Sequence, residues 1–174
     1  MTKLTVNSLN NASEQEFTDA LAEIYEHSSW IPKLAWHDRP FADVGHLHQT
    51  MLNIVEKATV EQKMKLLCAH PQLAGKEAKT GTLTDASTQE QASANLDALS
   101  KDEVKEISHL NDIYMTKHSF PFIIAVKRHD KAGIFNQFRK RVSNQPEVEF
   151  DEAIRQVGYI ASFRLGEIFN SNDA

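Results

Sequence analysis

Apolar residues spaced three and four apart dominate this sequence, and this helical spacing limits the fold more than any other feature. Near the N-terminus, Phe17, Leu21 and Ile24 share one helical face, and Ser13 precedes Glu16 by three residues, as in a capping box. The pattern predicts helices over 13–28, 43–57, 60–69, 85–98, 101–117, 131–143 and 149–169. We therefore predict an all-α fold of about seven to nine helices.

One stretch breaks the helical pattern. Residues 119–126, SFPFIIAV, are almost continuously apolar and resemble a β-strand in composition. Pro121 argues against a central strand, because proline cannot donate a hydrogen bond to a neighbouring strand. We predict a buried extended connector here, within a single compact domain, 1–174, whose core spans about 13–169 and whose termini are loose.

Charge and composition argue against several classes of function. The formal net charge of −5 is unfavourable for general binding to nucleic acid or to an anionic membrane. No window approaches the roughly 18 apolar residues that a membrane helix needs. The basic stretch FRKR at 138–141 is interpreted as a solvated helix face.

Cys68 is the only cysteine, so the chain cannot form an internal disulfide. Its neighbours in KLLCAH are apolar, which predicts a buried, inert thiol, and one thiol is compatible with a reducing compartment. The N-terminus lacks the apolar region of a signal peptide, and the C-terminal NSNDA is not a peroxisomal signal. We expect a cytoplasmic protein.

His70 is the first candidate for chemistry, because it directly precedes Pro71 at the end of an apolar run. Proline disfavours the α conformation of the residue before it, so His70 is expected at the C-terminus of a helix. The carbonyl groups there favour the imidazolium and raise the pKa of His70, which suits a general acid. The alternative is a histidine that only caps these carbonyl groups. Spacing alone favours the cap.

Ser87, Glu90 and Gln91 share one helical face in the segment STQEQ, 87–91. A hydroxyl, a carboxylate and an amide side by side could hold a small polar heterocycle and handle one proton. The alternative is a capping box, because Ser-x-x-Glu is also that pattern. Spacing alone again favours the cap.

Arg164 falls on the apolar stripe of the last predicted helix, between Ala161 and Ile168. A buried guanidinium must be paired, must reach solvent, or must meet an anion. A structural ion pair and an anion-binding role are equally compatible with the pattern.

Metal-binding and phosphate-binding motifs are missing from the sequence. It contains no HExxH, no Gly-rich phosphate loop and no Gly-x-Ser-x-Gly elbow. His46 and His48 stand two apart on a predicted helix and point to different sides, which makes a poor chelate. The residues predict a site without metal or cofactor, and they name no reaction.

Several short motifs follow one another in a fixed order: YEHSSWI (25–31), RPF (39–41), HPQLAGK (70–76), STQEQ (87–91), LNDIY (110–114), FPFIIAV (120–126) and FRLGEI (163–168). This ordered set resembles one family, the 2-oxo-4-hydroxy-4-carboxy-5-ureidoimidazoline (OHCU) decarboxylases of urate degradation. The similarity extends from about Leu21 to Ile168, nearly the whole chain, in one register. Three departures stand out: Gln72 where an acidic residue is common, and Asn95 and Ser119 where glycine is usual.

The resemblance implies an all-helical, usually dimeric enzyme that converts OHCU to (S)-allantoin without metal or organic cofactor. It implies that His70 is the catalytic acid, assisted by Glu90, and it allows a transient association with the preceding hydrolase of the pathway. The other residues that it places around the substrate are Pro71, Ser87, Gln91, Phe122, Ile123, Ile124, Ala125, Val126 and Arg164, the residues 122–126 through their backbone.

The chemistry of this substrate agrees with a site that lacks a cofactor. OHCU carries a carboxylate and a hydroxyl on one ring carbon beside a C=N bond, which can accept the electrons released with CO₂. We expect His70 to transfer the proton while Glu90 holds the imidazole or a ring N–H. Two alternatives remain: a helical ligand-binding or interaction module without catalysis, and a related decarboxylase acting on another ureido acid.

Overall fold

The structure, a computed structural model, describes residues 3–170, which form ten α-helices and no β-strand. The all-α prediction is confirmed. Two 3₁₀ turns, Trp36–Asp38 and Val126–Arg128, join helices. The helices are α1 (Val6–Asn10), α2 (Glu14–Ala20), α3 (Trp30–Ala35), α4 (Val44–Lys57), α5 (Val60–Cys68), α6 (Lys76–Thr80), α7 (Asp85–Ser93), α8 (Lys101–His118), α9 (Lys131–Arg141) and α10 (Pro146–Asn170).

The predicted helices correspond to α2, α4, α5 and α7–α10. The short helices α1, α3 and α6 were not predicted, because five or six residues are too few to display a helical period. Of the termini, residues 1–2 and 171–174 lie outside the described residues.

The helix α2 begins as predicted and ends early. The Ser13 hydroxyl accepts from the Glu16 N–H, and the Glu16 carboxylate accepts from the Ser13 N–H, so the capping box is confirmed. After seven helical residues the chain enters turns in which His27 adopts a left-handed φ of 45°, which is incompatible with a right-handed helix. Leu21 and Ile24 are nevertheless buried. The apolar spacing therefore identified core side chains beyond the helix itself.

Intramolecular contacts divide the chain into two compact units. Among the described residues, one unit consists of 3–66 together with 161–170, and the other is Leu67–Ile160. The single domain predicted for 1–174 stays a prediction. None of the helices among residues 3–170 is long and apolar enough to cross a membrane.

In the first unit, the segment around α1 is attached to the chain after α3. The Asn10 amide donates to the Phe41 carbonyl oxygen at 2.9 Å and accepts from the Phe41 N–H at 2.7 Å. The Arg39 guanidinium reaches the carbonyl oxygens of Asn10 and Ala12. The Phe41 ring stacks on Phe17 with centroids 6.0 Å apart, which closes the apolar core at this point.

In the second unit, aromatic rings of the connector pack against α8 and α9. Phe122 stacks on Phe138 with ring centroids 3.9 Å apart, and both rings form T-shaped contacts with the ring of Tyr114. Residues 120–126 are all buried, and residues 121–125 form neither helix nor strand. The predicted buried connector is confirmed, and its aromatic side chains anchor it to the unit.

The prediction of a buried thiol at Cys68 is wrong. Its neighbours Leu66 and Leu67 are buried, but Cys68 is exposed, about 100° further around α5. Its sulfur lies 3.5 Å from the Ser119 carbonyl oxygen. Partial burial still raises the pKa of the Cys68 thiol, so the thiolate is disfavoured.

Candidate active site

His70 lies just beyond the C-terminal end of α5. The helix ends at Cys68, and the His70 N–H donates to the Leu67 carbonyl oxygen at 3.2 Å in the turn before Pro71. This confirms the predicted position at a helix terminus. The side chain is only 8% exposed, so any proton that the imidazole exchanges goes mainly to groups packed beside it rather than to bulk water.

Two buried amide side chains hold the loop that follows His70. Asn111 of α8 donates from Nδ2 to the Leu73 carbonyl oxygen at 3.0 Å, and Gln91 of α7 accepts at Oε1 from the Ala74 N–H at 2.9 Å. Asn111 belongs to the LNDIY motif, for which no role was predicted, and its burial as an amide becomes visible only in the fold. Gln91 was predicted to contact substrate, and the structure shows that its oxygen contacts the loop.

The three departures from the family pattern occupy defined places. Asn95, after α7, and Ser119, the C-cap of α8, have φ of 57° and 64°, the left-handed conformation that glycine adopts most readily. The Gln72 side chain packs against Gly75, where an added Cβ would lie 2.6 Å from the Gln72 Cβ. The chain therefore keeps glycine-like backbone geometry at 95 and 119 at some cost in strain.

The helix α7 carries the polar cluster of the STQEQ segment. Its N-cap is Thr84, whose hydroxyl accepts from the Ser87 N–H at 3.2 Å. The alternative that Ser87 and Glu90 form the capping box is therefore wrong, because Ser87 is already the third residue of the helix. Ser87 and Gln91 are buried one turn apart, and Glu90 beside them is half-buried.

Some backbone groups of the connector form hydrogen bonds within the protein, and others do not. The Ile123 carbonyl oxygen accepts from Arg141 Nη1 at 2.8 Å, and the Ala125 N–H donates to Gln156 Oε1 at 2.9 Å. The carbonyl oxygens of Ala125 and Val126 accept from N–H groups of the following turn. Within residues 3–170, the N–H and C=O of Ile124 make no hydrogen bond.

The second unit therefore contains all but one of the predicted site residues. The helix α7 holds the loop after His70 and packs against the 3₁₀ turn Val126–Arg128 at the end of the connector. The residues that this unit contains are His70, the half-buried Pro71, Ser87, Glu90, Gln91 and the buried Phe122, Ile123, Ile124, Ala125 and Val126.

Arg164 belongs to the first unit, where it forms a buried ion pair. Its Nη1 donates to Glu26 Oε2 at 2.7 Å and to the Glu23 carbonyl oxygen at 3.0 Å. Glu26 and Arg164 are 2% and 4% exposed. This is the structural pairing that the sequence left open, with a carboxylate of the YEHSSWI motif as the partner. A contact between Arg164 and substrate stays a prediction.

A second buried ion pair was missed, and it lies in the unit that contains His70. Arg141 donates to Glu149 from Nε and Nη2 at 3.0 to 3.2 Å, and the Tyr114 hydroxyl donates to Glu149 Oε2 at 2.5 Å. Burial by itself raises the pKa of Glu149, but hydrogen bonds from Arg141 and Tyr114 outweigh it and hold that pKa below its usual value. Burial and the Glu149 carboxylate both raise the pKa of Tyr114.

The sequence also matches a known protein family over most of its length. Residues 10–166 match the family model described as "OHCU decarboxylase". The chain belongs to the OHCU decarboxylase family. A 2-oxo-4-hydroxy-4-carboxy-5-ureidoimidazoline decarboxylase from Halalkalicoccus jeotgali is 39% identical over 168 residues, which cover 97% of this chain and 93% of that protein. The resemblance drawn from the ordered motifs is confirmed.

Two further relatives of the OHCU decarboxylase family differ in length from this chain. A uric acid degradation bifunctional protein from Bacillus subtilis is 38% identical over 164 residues, which are 94% of this chain and 32% of that protein. A crystal structure of (S)-allantoin synthase superposes with a TM-score of 0.77 at 30% identity, covering 95% of this chain and 54% of that one. Both similarities extend over nearly all of this chain.

Proposed function

We propose that this chain is a carboxy-lyase that converts OHCU to (S)-allantoin in urate degradation, with His70 as its acid–base residue. The observation that carries the proposal is the buried His70 at the end of α5, followed by a loop that Asn111 and Gln91 hold in place. Membership of the OHCU decarboxylase family supplies the reaction class.

The reaction needs orientation and proton transfer rather than an electron sink. The bond between the ring carbon and the carboxylate breaks, CO₂ leaves, and the electron pair moves towards the adjacent C=N to give an enediamine-like intermediate. The substrate hydroxyl then loses its proton and becomes a carbonyl, the neighbouring ring carbon gains a proton on one face, and the ring nitrogen gains one from solvent. His70 accepts the hydroxyl proton and returns a proton to carbon, which fixes the chirality of the product.

The side chains of α7 have complementary tasks in this proposal. Glu90 holds the imidazole of His70 or a ring N–H, and Ser87 hydrogen-bonds a polar atom of the ring. Gln91 uses its oxygen on Ala74, so its contribution to the substrate is the amide nitrogen, a donor for a ureido carbonyl. Pro71 shapes the wall beside His70.

Arg164 as a ligand of the substrate carboxylate remains part of the proposal. The carboxylate must leave as CO₂, and a strong ion pair to it would oppose this step. The buried contact with Glu26 supports a structural role for the same guanidinium. Arg164→Lys separates the two roles, because a substrate ligand changes KM whereas a structural pair changes mainly the melting temperature.

We also propose a cytoplasmic homodimer that associates transiently with the preceding hydrolase. The exposed, unpaired thiol of Cys68 suits a reducing compartment. The relative from Bacillus subtilis carries the name of a bifunctional protein of uric acid degradation, which supports physical association between activities of this pathway. Sedimentation of the purified chain, alone and mixed with the hydrolase, tests both associations.

Turnover of freshly prepared OHCU tests the proposed function. The expected result is release of CO₂ above the spontaneous rate, with allantoin formed as the (S) enantiomer, followed by circular dichroism of the product. Racemic allantoin at the spontaneous rate would contradict the proposal and favour a non-catalytic helical module. Enzymatic CO₂ release from another ureido acid but not from OHCU would point to a related decarboxylase.

A further inference from the structure

We propose that Gln156 of α10 is a positioning residue that orients the peptide groups of Ile124 towards the substrate: Gln156 holds the peptide group after Ile124, and Arg141 holds the one before it. This inference rests on the proposed function, because it requires that backbone groups of the connector hydrogen-bond to the substrate ring. It assigns a task to two buried polar side chains that take no part in proton transfer.

The orientation of the Gln156 amide is fixed by its neighbours. Its Nε2 donates to Glu152 Oε1 at 2.7 Å, and an ionised carboxylate can only accept, so the amide nitrogen must face Glu152. The amide oxygen then faces the Ala125 N–H, which it binds at 2.9 Å. Gln156 is 7% exposed, so water cannot readily replace either contact.

The arginine that binds the preceding peptide group is held just as firmly. Arg141 Nη1 donates to the Ile123 carbonyl oxygen at 2.8 Å, and its remaining nitrogens contact Glu149. The guanidinium is planar, so the ion pair with Glu149 determines the direction of Nη1. Two rigid side chains therefore contact the peptide groups before and after Ile124.

Because peptide groups are planar, these two contacts determine where the N–H and C=O of Ile124 point. In a trans peptide the C=O and N–H of one unit point to opposite sides. Because Arg141 binds the Ile123 C=O, the Ile124 N–H points away from Arg141. Because Gln156 binds the Ala125 N–H, the Ile124 C=O points away from Gln156. Neither the N–H nor the C=O of Ile124 makes a hydrogen bond within residues 3–170. Ile124 is only 3% exposed, so water has little access to these groups.

A donor and an acceptor on one residue outside any helix match a specific chemical class. In an extended chain the N–H and C=O of one residue point to the same side, as in a pair of antiparallel strands. That arrangement is complementary to a ring amide or ureide edge, which offers a C=O and an N–H next to each other. Buried peptide groups without protein partners are rare, and a cyclic ureide would satisfy both.

The test is steady-state turnover of OHCU by three variants of the full chain. Gln156→Met keeps the shape but removes the acceptor, and kcat/KM is expected to fall about 10²-fold with a raised KM, the scale for a misplaced contact. The swapped pair Gln156→Glu with Glu152→Gln restores an acceptor for the Ala125 N–H and a donor beside it. It is expected to recover most of the activity at unchanged net charge.

The matched control is Asn10→Leu, which removes amide-to-backbone hydrogen bonds in the other unit. It is expected to lower the melting temperature without changing KM. All variants are assayed well below their melting temperatures and checked by circular dichroism. Wild-type KM in folded Gln156→Met, or no recovery in the folded swapped pair, would overturn the inference. An inactive wild-type chain would instead overturn the proposed function itself.

Discussion

Two arginines are buried among residues 3–170, and they invite comparison because the sequence pattern predicted the burial of only one of them. Arg164 lies on the apolar stripe of α10 and pairs with Glu26 at 2.7 Å in the first unit. Arg141 ends α9 and pairs with Glu149 at 3.0 Å in the second. Both guanidinium groups are 4% exposed, and both also donate to a backbone carbonyl oxygen.

The difference lies in their sequence neighbours. Arg164 is surrounded by apolar residues, so its burial is visible in the helical pattern. Arg141 is the last residue of FRKR, which was interpreted as a solvated face. That interpretation holds for Arg139 and Lys140, which are exposed, and is wrong for Arg141. Phe138, one turn earlier and fully buried, was the available signal, and the run of like charges concealed it.

The largest effect is expected from removing the concealed arginine. Arg141→Met leaves the Glu149 carboxylate buried without its partner, and we expect a loss of about 3–5 kcal/mol in the free energy of unfolding. Arg139→Met is the matched control: its ion pair with Glu106 is half-exposed, and we expect a loss of about 0–1 kcal/mol. Urea unfolding measures both. Equal losses for the two variants would show that Arg141 is not the buried member of the stretch.

Arg164→Met sharpens the comparison between the two arginines. It leaves Glu26 buried, so the loss of stability is again expected to reach about 3–5 kcal/mol. Replacing both partners, as Arg164→Met with Glu26→Leu, is expected to recover a large part of it, because no uncompensated charge remains. A double variant as unstable as the single one would contradict the interpretation of Arg164 as mainly a structural partner of Glu26.

The pH dependence of stability is expected to be smaller and to single out Glu149. Its folded-state pKa lies below the ordinary value of 4.5, so the folded state binds its proton less readily than the unfolded state. The stability that it contributes is fully present above pH 4.5 and is lost as the pH falls through the lower folded-state pKa. We expect a flatter acid limb for Glu149→Gln in urea unfolding between neutral and acidic pH. The same fall in stability with acid pH in the wild type and in Glu149→Gln would contradict this role of Glu149.

The smallest effect is expected at Ser119, where the chain turns from α8 into the connector. A φ of 64° is a left-handed conformation, and the free-energy cost of adopting it is higher for a residue with a Cβ than for glycine. Ser119→Gly is expected to raise the free energy of unfolding by about 0.5–1 kcal/mol, part of the strain being offset by the flexibility of glycine in the unfolded chain. Ser143→Gly, at an exposed position with an ordinary φ, is the control. A lower free energy of unfolding for Ser119→Gly would contradict the interpretation that the backbone is strained at Ser119.

The sequence was most informative where one local pattern controls the structure. The capping box at Ser13 begins a helix as expected, and the apolar run after Pro121 is buried and forms neither helix nor strand up to Ala125. Ends of helices were less predictable: α2 ends at Ala20 and the turns that follow it include the left-handed His27, and α7 ends at Ser93, two residues before the left-handed Asn95. No local pattern encodes those turns.

The candidate site followed from the sequence only in part. His70 before Pro71 was placed correctly, whereas Ser87 resembled a cap and needed the structure to show Thr84 in that role. Asn111 and Gln156 act on backbone groups 38 and 31 residues away, and such pairings depend on the fold rather than on spacing. The resemblance to a family predicts residues around the substrate, but it did not predict the side chains that hold their backbone in place.

The measurement that tests the central claim most directly is OHCU turnover by His70→Asn beside the wild-type chain. Asparagine is polar and similar in size but cannot transfer a proton near neutral pH. With the spontaneous rate subtracted and folding verified by circular dichroism, we predict a loss of about 10²- to 10⁴-fold in kcat. A folded His70→Asn variant that releases CO₂ at the wild-type rate and yields (S)-allantoin would contradict the role assigned to His70.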